Sequence, residues 1–128
     1  MTDAVFSIKP YFADAILDGS KTIELRKVAP KRPVERAWIY ATAPVMRIVG
    51  HFRPGQIRDA TLEDHELALI SELDTEEYSA IEILEPVALE RPINPRTLGL
   101  GYLWLSPQSW RYVGAKEQAA FREQEGRS

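Results

Sequence analysis

Apolar and polar residues alternate in residues 21–27, and this pattern predicts a half-buried β-strand. Ile23 and Leu25 would face the protein interior. The polar positions would share the opposite face: Thr22, Glu24 and Arg26. Strict alternation would place Lys21 with the apolar residues. We expect the turn around Gly19 to let Lys21 depart from this parity and join Glu24 and Arg26 in one cleft.

A second alternating stretch, residues 36–42, predicts a strand with two apolar faces. Trp38 and Tyr40 would lie on one face, opposite a row of smaller residues: Ala37, Ile39 and Ala41. Further strands are predicted at residues 4–9, at 45–53 with Pro54-Gly55 as its end, and at 80–89, with an irregular strand within 103–113. In residues 45–53 we expect one shared face: Met46, Ile48, Gly50 and Phe52.

Three segments have the marks of helices. Pro10 suits a first helical turn, and Gly19 suits a left-handed C-terminal cap. Thr61 and Asp64 have the spacing of a capping box at the start of residues 61–73. The apolar side of that helix would consist of Leu62, Leu69, Ile70 and Leu73. A solvated C-terminal helix is expected at residues 115–125.

The element order predicts an α+β protein: a small mixed β-barrel with two or three peripheral helices. The 128 residues fit a single domain, residues 1–128, with a core at about 4–113 and the C-terminal helix at 115–125. No apolar run approaches the roughly 18 residues that span a bilayer. Residues 1–10 lack the pattern of a secretory signal. We therefore expect a cytoplasmic protein that does not enter a membrane.

The composition narrows the possible chemistry. The chain has no cysteine and two histidines, His51 and His65, which do not form a zinc-binding motif. We expect no metal and no cofactor. The net charge is −3, but its distribution is uneven. Residues 21–36 carry a net charge of +4, and residues 58–90 carry −10. A local basic surface or an acidic protein-interaction surface is therefore possible, as are two ordinary solvated faces.

The stretch after the first predicted helix, D-G-S-K-T-I-E-L-R-K, contains Gly19, Lys21, Glu24 and Arg26. This order resembles the G-x-K-x-x-E-x-R signature of the ASCH domain family. W-I-Y-A-T-A-P and I-V-G-H-F resemble two family strands, S-I-K-P resembles the family's start, and P-Q-S-W-R-Y resembles a segment near the C-terminal end of many members. The resemblance runs from about Val5 to Val113.

The resemblance implies a PUA-like barrel, related to modules that bind RNA or modified bases, with a cleft lined by the signature residues. Some small ASCH members hydrolyse N4-acetylcytidine, and others have been linked to RNA cleavage. The amidohydrolase-like members have threonine at the position of Glu24, a departure that counts against this activity here. Their helical glutamate has three possible counterparts: Glu63, Glu66 and Glu72.

The residue types suggest how such a cleft would bind. Lys21 is a candidate anchor for phosphate or carbonyl groups or, if desolvated, a catalytic base or nucleophile. Glu24 would accept from a base amine or from Lys21 and would be catalytic with Lys21 in an enzyme. Arg26 offers a guanidinium fork to a phosphate or a base edge. Glu24 and Arg26, two positions apart on one strand face, would also fit an ordinary surface ion pair.

Four more residues are candidate ligand contacts. Trp38 and Tyr40 would stack on a base, unless they form the barrel core, and Ser109 and Arg111 would donate hydrogen bonds, unless they lie on a plain strand edge. We interpret the chain as an RNA- or nucleotide-binding domain. The alternatives are a small hydrolase, acting on acetylcytidine or on RNA, and a protein-interaction module. The partner would be RNA or a modified nucleoside or nucleotide; the oligomeric state stays open.

Overall fold

A computed structural model describes residues 2–70 and 77–127 of the protein. Within these residues there are six strands, three α-helices and one short 3₁₀ helix. In chain order they are β1 Asp3–Ile8, α1 Pro10–Asp18, β2 Ile23–Arg26, β3 Arg36–Ala41, β4 Arg47–Asp59, α2 Leu62–Leu67, β5 Ser79–Ile93, the 3₁₀ helix Pro95–Thr97, β6 Trp110–Tyr112 and α3 Ala115–Gly126.

The six strands form one curled, half-barrel sheet in the order β2-β5-β4-β3-β1-β6. β1 pairs with β3 in parallel, and the other neighbours are antiparallel. The two edge strands, β2 and β6, are therefore at opposite ends of the strand order, and the curl of the sheet turns these two edges toward each other.

The alternation predicted for residues 36–42 is confirmed, because β3 places its two rows of side chains in two different cores. We call the first the α1-side core; it includes Phe6, Ile16, Ala37, Ile39, Ala41 and Phe52. We call the second the α3-side core; it includes Trp38, Tyr40, Ile48, Trp104 and Phe121. Both faces of the sheet centre are thus covered by apolar groups.

The C-terminal helix differs from the solvated helix that we expected. Phe121 of α3 is completely buried, and its ring meets Trp38 at 5.4 Å between centroids. Arg122 pairs with the buried Asp3 at 2.9 Å. The helix is therefore part of the core, since it covers the β3 face that carries the large aromatic side chains.

Strands β4 and β5 are longer than predicted. Pro54-Gly55 does not end β4, which continues to Asp59. The register between β4 and β5 shifts several times along β4, and one of these shifts falls between positions 54 and 57 of β4. Proline is tolerated in strands at such bulges. β5 likewise extends to Ile93.

The bulges also break the shared face that we expected in β4. Ile48 lies in the α3-side core and Phe52 in the α1-side core, while Met46 lies outside the strand. At Gly50 a Cβ atom would lie 2.5 Å from the carbonyl oxygen of Val87 and 2.6 Å from a Leu17 methyl. Glycine is needed there because β5 and α1 approach this point closely.

Both predicted helix signals around the first two helices are confirmed. Gly19 ends α1 in the left-handed conformation, with φ of 88°. Thr61 and Asp64 form the capping box of α2. However, α2 ends at Leu67, and its expected apolar side is wrong: Leu62, Leu69 and Ile70 are exposed, and Ala68 is buried instead. Leu73 lies outside the described residues.

Candidate functional site

A cleft of about 660 Å³ opens between α1, β2, the end of β1 and the segment that leads into β6. The left-handed turn at Gly19 carries the chain from α1 into β2, so the signature residues arrive at the cleft directly after the turn. The polar described residues that line it are Ser7, Lys9, Lys21, Glu24, Arg26, Lys27, Tyr78 and Ser109.

Lys21 lies at the buried floor of this cleft. Its backbone N–H donates to the carbonyl oxygen of Ala15, which ties it to the end of α1. Its ammonium group donates to the carbonyl oxygen of Ala68 at 2.7 Å and to Glu24 Oε1 at 3.1 Å. The Phe12 ring centroid lies 5.1 Å from the same nitrogen. The side chain has only 2 % of its surface exposed, so it is held in one place.

Glu24 is bound between two cations. One oxygen accepts from Lys21, and the other accepts from Arg26 Nε at 2.9 Å and from a terminal nitrogen of Arg26 at 2.5 Å. The structure therefore brings Lys21, Glu24 and Arg26 together in one cleft. Lys21 joins the other two despite strand parity because it precedes the regular part of β2.

Arg26 spans the opening between the two edges of the sheet. From β2 it donates to the Ser109 carbonyl oxygen and hydroxyl group, both at 3.0 Å, and to the Ser7 carbonyl oxygen at 3.1 Å. With its two bonds to Glu24, these contacts match the five N–H donors of a guanidinium group. Arg26 is therefore fully engaged within the protein and closes the half-barrel with its side chain.

The electrostatic environment perturbs Lys21. Burial is the largest effect and lowers the pKa of its ammonium group below the usual 10.5, while the charge and hydrogen bond of Glu24 act in the opposite direction. A lysine of this kind can bind an anion when protonated, or take up a proton when neutral. The geometry supports both roles that the sequence left open.

The rim of the cleft is basic and carries an aromatic ring. Lys9 and Lys27 add positive charge to that of the floor. Trp110 lines the wall, where its indole N–H donates to the Val28 carbonyl oxygen at 2.8 Å. The indole is half-buried and rests on Phe6 at 5.9 Å between centroids. Of the three tryptophans, Trp38, Trp104 and Trp110, it is Trp110 that lines the cleft.

Three predicted contact residues lie elsewhere. Trp38 is fully buried, and its indole donates to Asp3. Tyr40 packs against Trp104 in the α3-side core. Arg111 pairs with Glu117 at 2.7 Å, on the α3 side of the sheet. The stacking role expected of Trp38 and Tyr40 is therefore corrected to core packing, and the ligand contact expected of Arg111 is corrected to an ion pair.

The remaining candidates are placed as follows. Gly19 shapes the turn and is not among the lining residues, whereas Ser109 lines the cleft. Glu63 and Glu66 are exposed on α2 and are likewise not among the lining residues; Glu72 lies outside the described residues. Sequence reasoning missed Ser7, Phe12 and Tyr78. Their strand and helix positions carry no signal of a site, since only the fold brings them together with Lys21 in the lining of one cleft.

The comparisons with known proteins agree with this fold. A family model described as the ASCH domain matches residues 6–119. A curated protein of Zymomonas mobilis named "ASCH domain-containing ribonuclease" is 47 % identical over 49 residues, which cover 38 % of this chain and 33 % of that protein. The matched stretch thus spans a third of that relative's length.

Solved structures give a similarity over nearly the whole chain. The crystal structure of ASCH from Zymomonas mobilis is 27 % identical, covers 94 % of this chain and 94 % of that chain, and has a TM-score of 0.80. The crystal structure of a mutant of the same protein covers 96 % of this chain and 98 % of that chain, with 26 % identity and a TM-score of 0.80.

These similarities confirm the predicted α+β, PUA-like barrel. In the part of the chain that the structure describes, no helix is both long and apolar enough to cross a membrane. The match to the family model covers most of the chain, and the structural similarity extends across it. The chain belongs to the ASCH domain family.

Proposed function

We propose that this protein binds RNA and seats one nucleotide in the cleft above Lys21. The observation that carries the proposal is the buried Lys21–Glu24 pair at the floor of a cleft whose rim holds Lys9, Lys27 and Trp110. The cleft volume lies within the range of about 300–1,000 Å³ that is typical of small-molecule sites.

Each part of the cleft matches one part of a nucleotide. The half-buried ring of Trp110 provides a surface on which a base stacks. Glu24 accepts a hydrogen bond from an exocyclic amine, because its Oε1 atom retains a lone pair beyond the one used by Lys21. Lys9 and Lys27 attract the phosphate backbone. Arg26 would act by holding Glu24 in place, since its five N–H donors already form hydrogen bonds within the protein.

A binding titration tests this proposal. Fluorescence anisotropy with short single-stranded RNAs should give an affinity that falls steeply with salt. Lys21→Met should weaken binding by about 1.5–3 kcal/mol, the range of a hydrogen bond to a charged group. Arg53→Gln is the matched control, since Arg53 is exposed and pairs with Glu85 away from the cleft. Equal affinities of wild type and Lys21→Met would refute the proposed site.

RNA cleavage is a second candidate function, favoured by the lowered pKa of Lys21 beside a carboxylate and by the name of the curated relative. In this reaction the 2′-hydroxyl would attack the adjacent phosphorus and release the 5′-oxygen, leaving a 2′,3′-cyclic phosphate. Glu24 would take the proton from the 2′-hydroxyl, and Lys21 would donate a proton to the leaving 5′-oxygen. The two protein groups would exchange the proton afterwards, so the cycle closes.

Product analysis separates binding from cleavage. Incubation of a labelled RNA with wild type, Lys21→Met and Glu24→Gln should give cyclic-phosphate products from wild type only, if the protein is a ribonuclease. An RNA that remains intact in the presence of bound wild-type protein would leave binding as the function. Absorbance with N4-acetylcytidine tests the amidohydrolase alternative, and Glu24 in place of threonine leads us to expect little or no turnover.

A further inference from the structure

A second pocket, of about 510 Å³, lies between the start of β4, the end of β5 and the C-terminal end of α3. It belongs neither to the signature cleft nor to its rim. Its polar lining residues are Arg47, Arg91, Asn94, Thr97, Gln124 and Arg127. None of the described residues that line it is acidic, so three arginines line one concavity; of these, Arg127 pairs with Glu123, which is not a lining residue.

The guanidinium groups keep donors available to a ligand. Arg91 is exposed and makes no hydrogen bond or ion pair within residues 2–70 and 77–127. Arg47 donates to the carbonyl oxygen of Met46 from one terminal nitrogen. Arg127 uses one terminal nitrogen for Glu123 on the exposed face of α3. A guanidinium group presents a planar fork that matches the oxygens of a phosphate, and Asn94 adds an amide within the pocket.

The strand register places this pocket at the same end of the sheet as the cleft. Ile8, which lines the cleft, is paired with Ala41, and Ala41 is paired with Arg47. Two strand spacings separate the backbones of Ile8 and Arg47 by about 10 Å. Lys9 follows Ile8 on the rim. A short RNA strand is therefore long enough to reach both the cleft and the pocket.

We propose that the pocket of Arg47, Arg91 and Arg127 binds backbone phosphate of the RNA strand whose nucleotide occupies the cleft. The inference rests on the proposed function and extends it: the ligand would be an oligonucleotide that crosses the end of the sheet, and a free nucleotide would leave the pocket empty. Because phosphate contacts carry no base information, the pocket would add affinity and salt dependence but no sequence preference.

The test compares an eight-nucleotide RNA with a mononucleotide over a series of salt concentrations. Arg91→Gln and Arg127→Gln should each weaken octanucleotide binding by about three- to tenfold. Each should also lower the slope of log affinity against log salt concentration by about one. Neither should change mononucleotide binding. Arg91→Lys should restore part of the affinity because it keeps the charge, and Arg53→Gln, an exposed arginine outside both sites, should behave as wild type.

The outcomes distinguish this inference from the proposed function. One outcome is that both glutamine variants bind the octanucleotide with wild-type affinity and salt slope, while Lys21→Met binds it weakly. This outcome would refute the phosphate-binding role of the pocket and support the cleft as the nucleotide site. If the glutamine variants bind weakly and Lys21→Met binds like wild type, the pocket would stand as an RNA phosphate site and the cleft would be refuted as the nucleotide site. Absence of RNA binding by wild type at low salt would overturn both.

Discussion

Arg26 and Ser109 join the two opposite ends of the sheet: the guanidinium group of Arg26 donates to both the carbonyl oxygen and the hydroxyl group of Ser109. Arg26 ends β2, and Ser109 immediately precedes β6. Within the described residues β2 pairs with β5 and β6 pairs with β1, so no backbone ladder connects the two edges. A side chain of the signature therefore performs the closure that backbone hydrogen bonds perform in a complete barrel.

Removal of this side chain should destabilise the fold. We expect Arg26→Gln to lower the free energy of unfolding by about 2–4 kcal/mol, because it breaks a largely buried ion pair and leaves Glu24, Ser7 and Ser109 short of donors. Urea denaturation measures the change. Arg53→Gln removes an exposed arginine and should cost less than about 1 kcal/mol. Equal costs for the two variants would show that Arg26 does not close the barrel.

The stability of the protein should depend on pH through Lys21. Burial lowers the pKa of this group in the folded state, so between that pKa and 10.5 the folded state binds fewer protons than the unfolded state. The free energy of unfolding should therefore rise with pH in this window. Lys21→Met should lack this contribution. Denaturation from pH 8 to 10.5 tests the difference between the two proteins, and parallel curves would contradict the expectation.

Trp110 should contribute through its ring to the RNA binding that we propose. Trp110→Leu should weaken binding by about 1–3 kcal/mol, the usual value of base stacking. Trp110→Phe keeps an aromatic face but loses the hydrogen bond to Val28. We therefore expect the phenylalanine variant to bind more tightly than the leucine variant. Anisotropy titrations with the same RNA provide the measurement, and an equal loss in both would argue against stacking.

Gly50 should tolerate no side chain. Gly50→Ala would place a methyl group against the Val87 carbonyl oxygen, so β5 or α1 must shift; we expect a loss of about 1–3 kcal/mol of stability. Gly126→Ala is the control, because nothing lies within 4 Å of its Cβ position and it lies within α3. Thermal unfolding of the two variants gives the comparison. A Gly50→Ala protein as stable as Gly126→Ala would contradict the close approach of these elements.

Asp64 should stabilise the fold at neutral pH and lose that effect in acid. Hydrogen bonds from Arg58 are the main cause that lowers its pKa from 3.8 to about 2. As the pH falls through this interval, the unfolded state takes up its proton first, and about 1–2 kcal/mol of stability is lost. Urea denaturation between pH 4 and 2 should give a flatter stability curve for Asp64→Asn than for wild type; curves of equal slope would contradict this role of Asp64.

Local patterns predicted the fold where each rule acts within a few residues. The alternation of β3, the capping box at Thr61 and the left-handed turn at Gly19 are of this kind. The predicted end of β4 was wrong because bulges let the strand continue past Pro54. Such bulges depend on the neighbouring strand, and residues 45–53 contain no sign of it.

The residues of the candidate site were likewise predictable only where they lie close together in the sequence. Lys21, Glu24 and Arg26 are close in sequence, so one motif was sufficient to find them. Trp38 and Tyr40 were misplaced because alternation identifies residues that share a face but cannot tell what covers it; here α3 does. The arginines of the second pocket come from β4, from β5 and from the residue that follows α3, and they meet only after folding.

The closure by Arg26 has a consequence for how the protein can evolve. Catalytic and binding residues commonly reduce stability, so their replacement often stabilises a protein while it removes activity. Arg26 connects Glu24 of the candidate site to both edges of the sheet, so its replacement should reduce stability and disturb the site together. At this position selection for a stable barrel and selection for an ordered carboxylate favour the same residue.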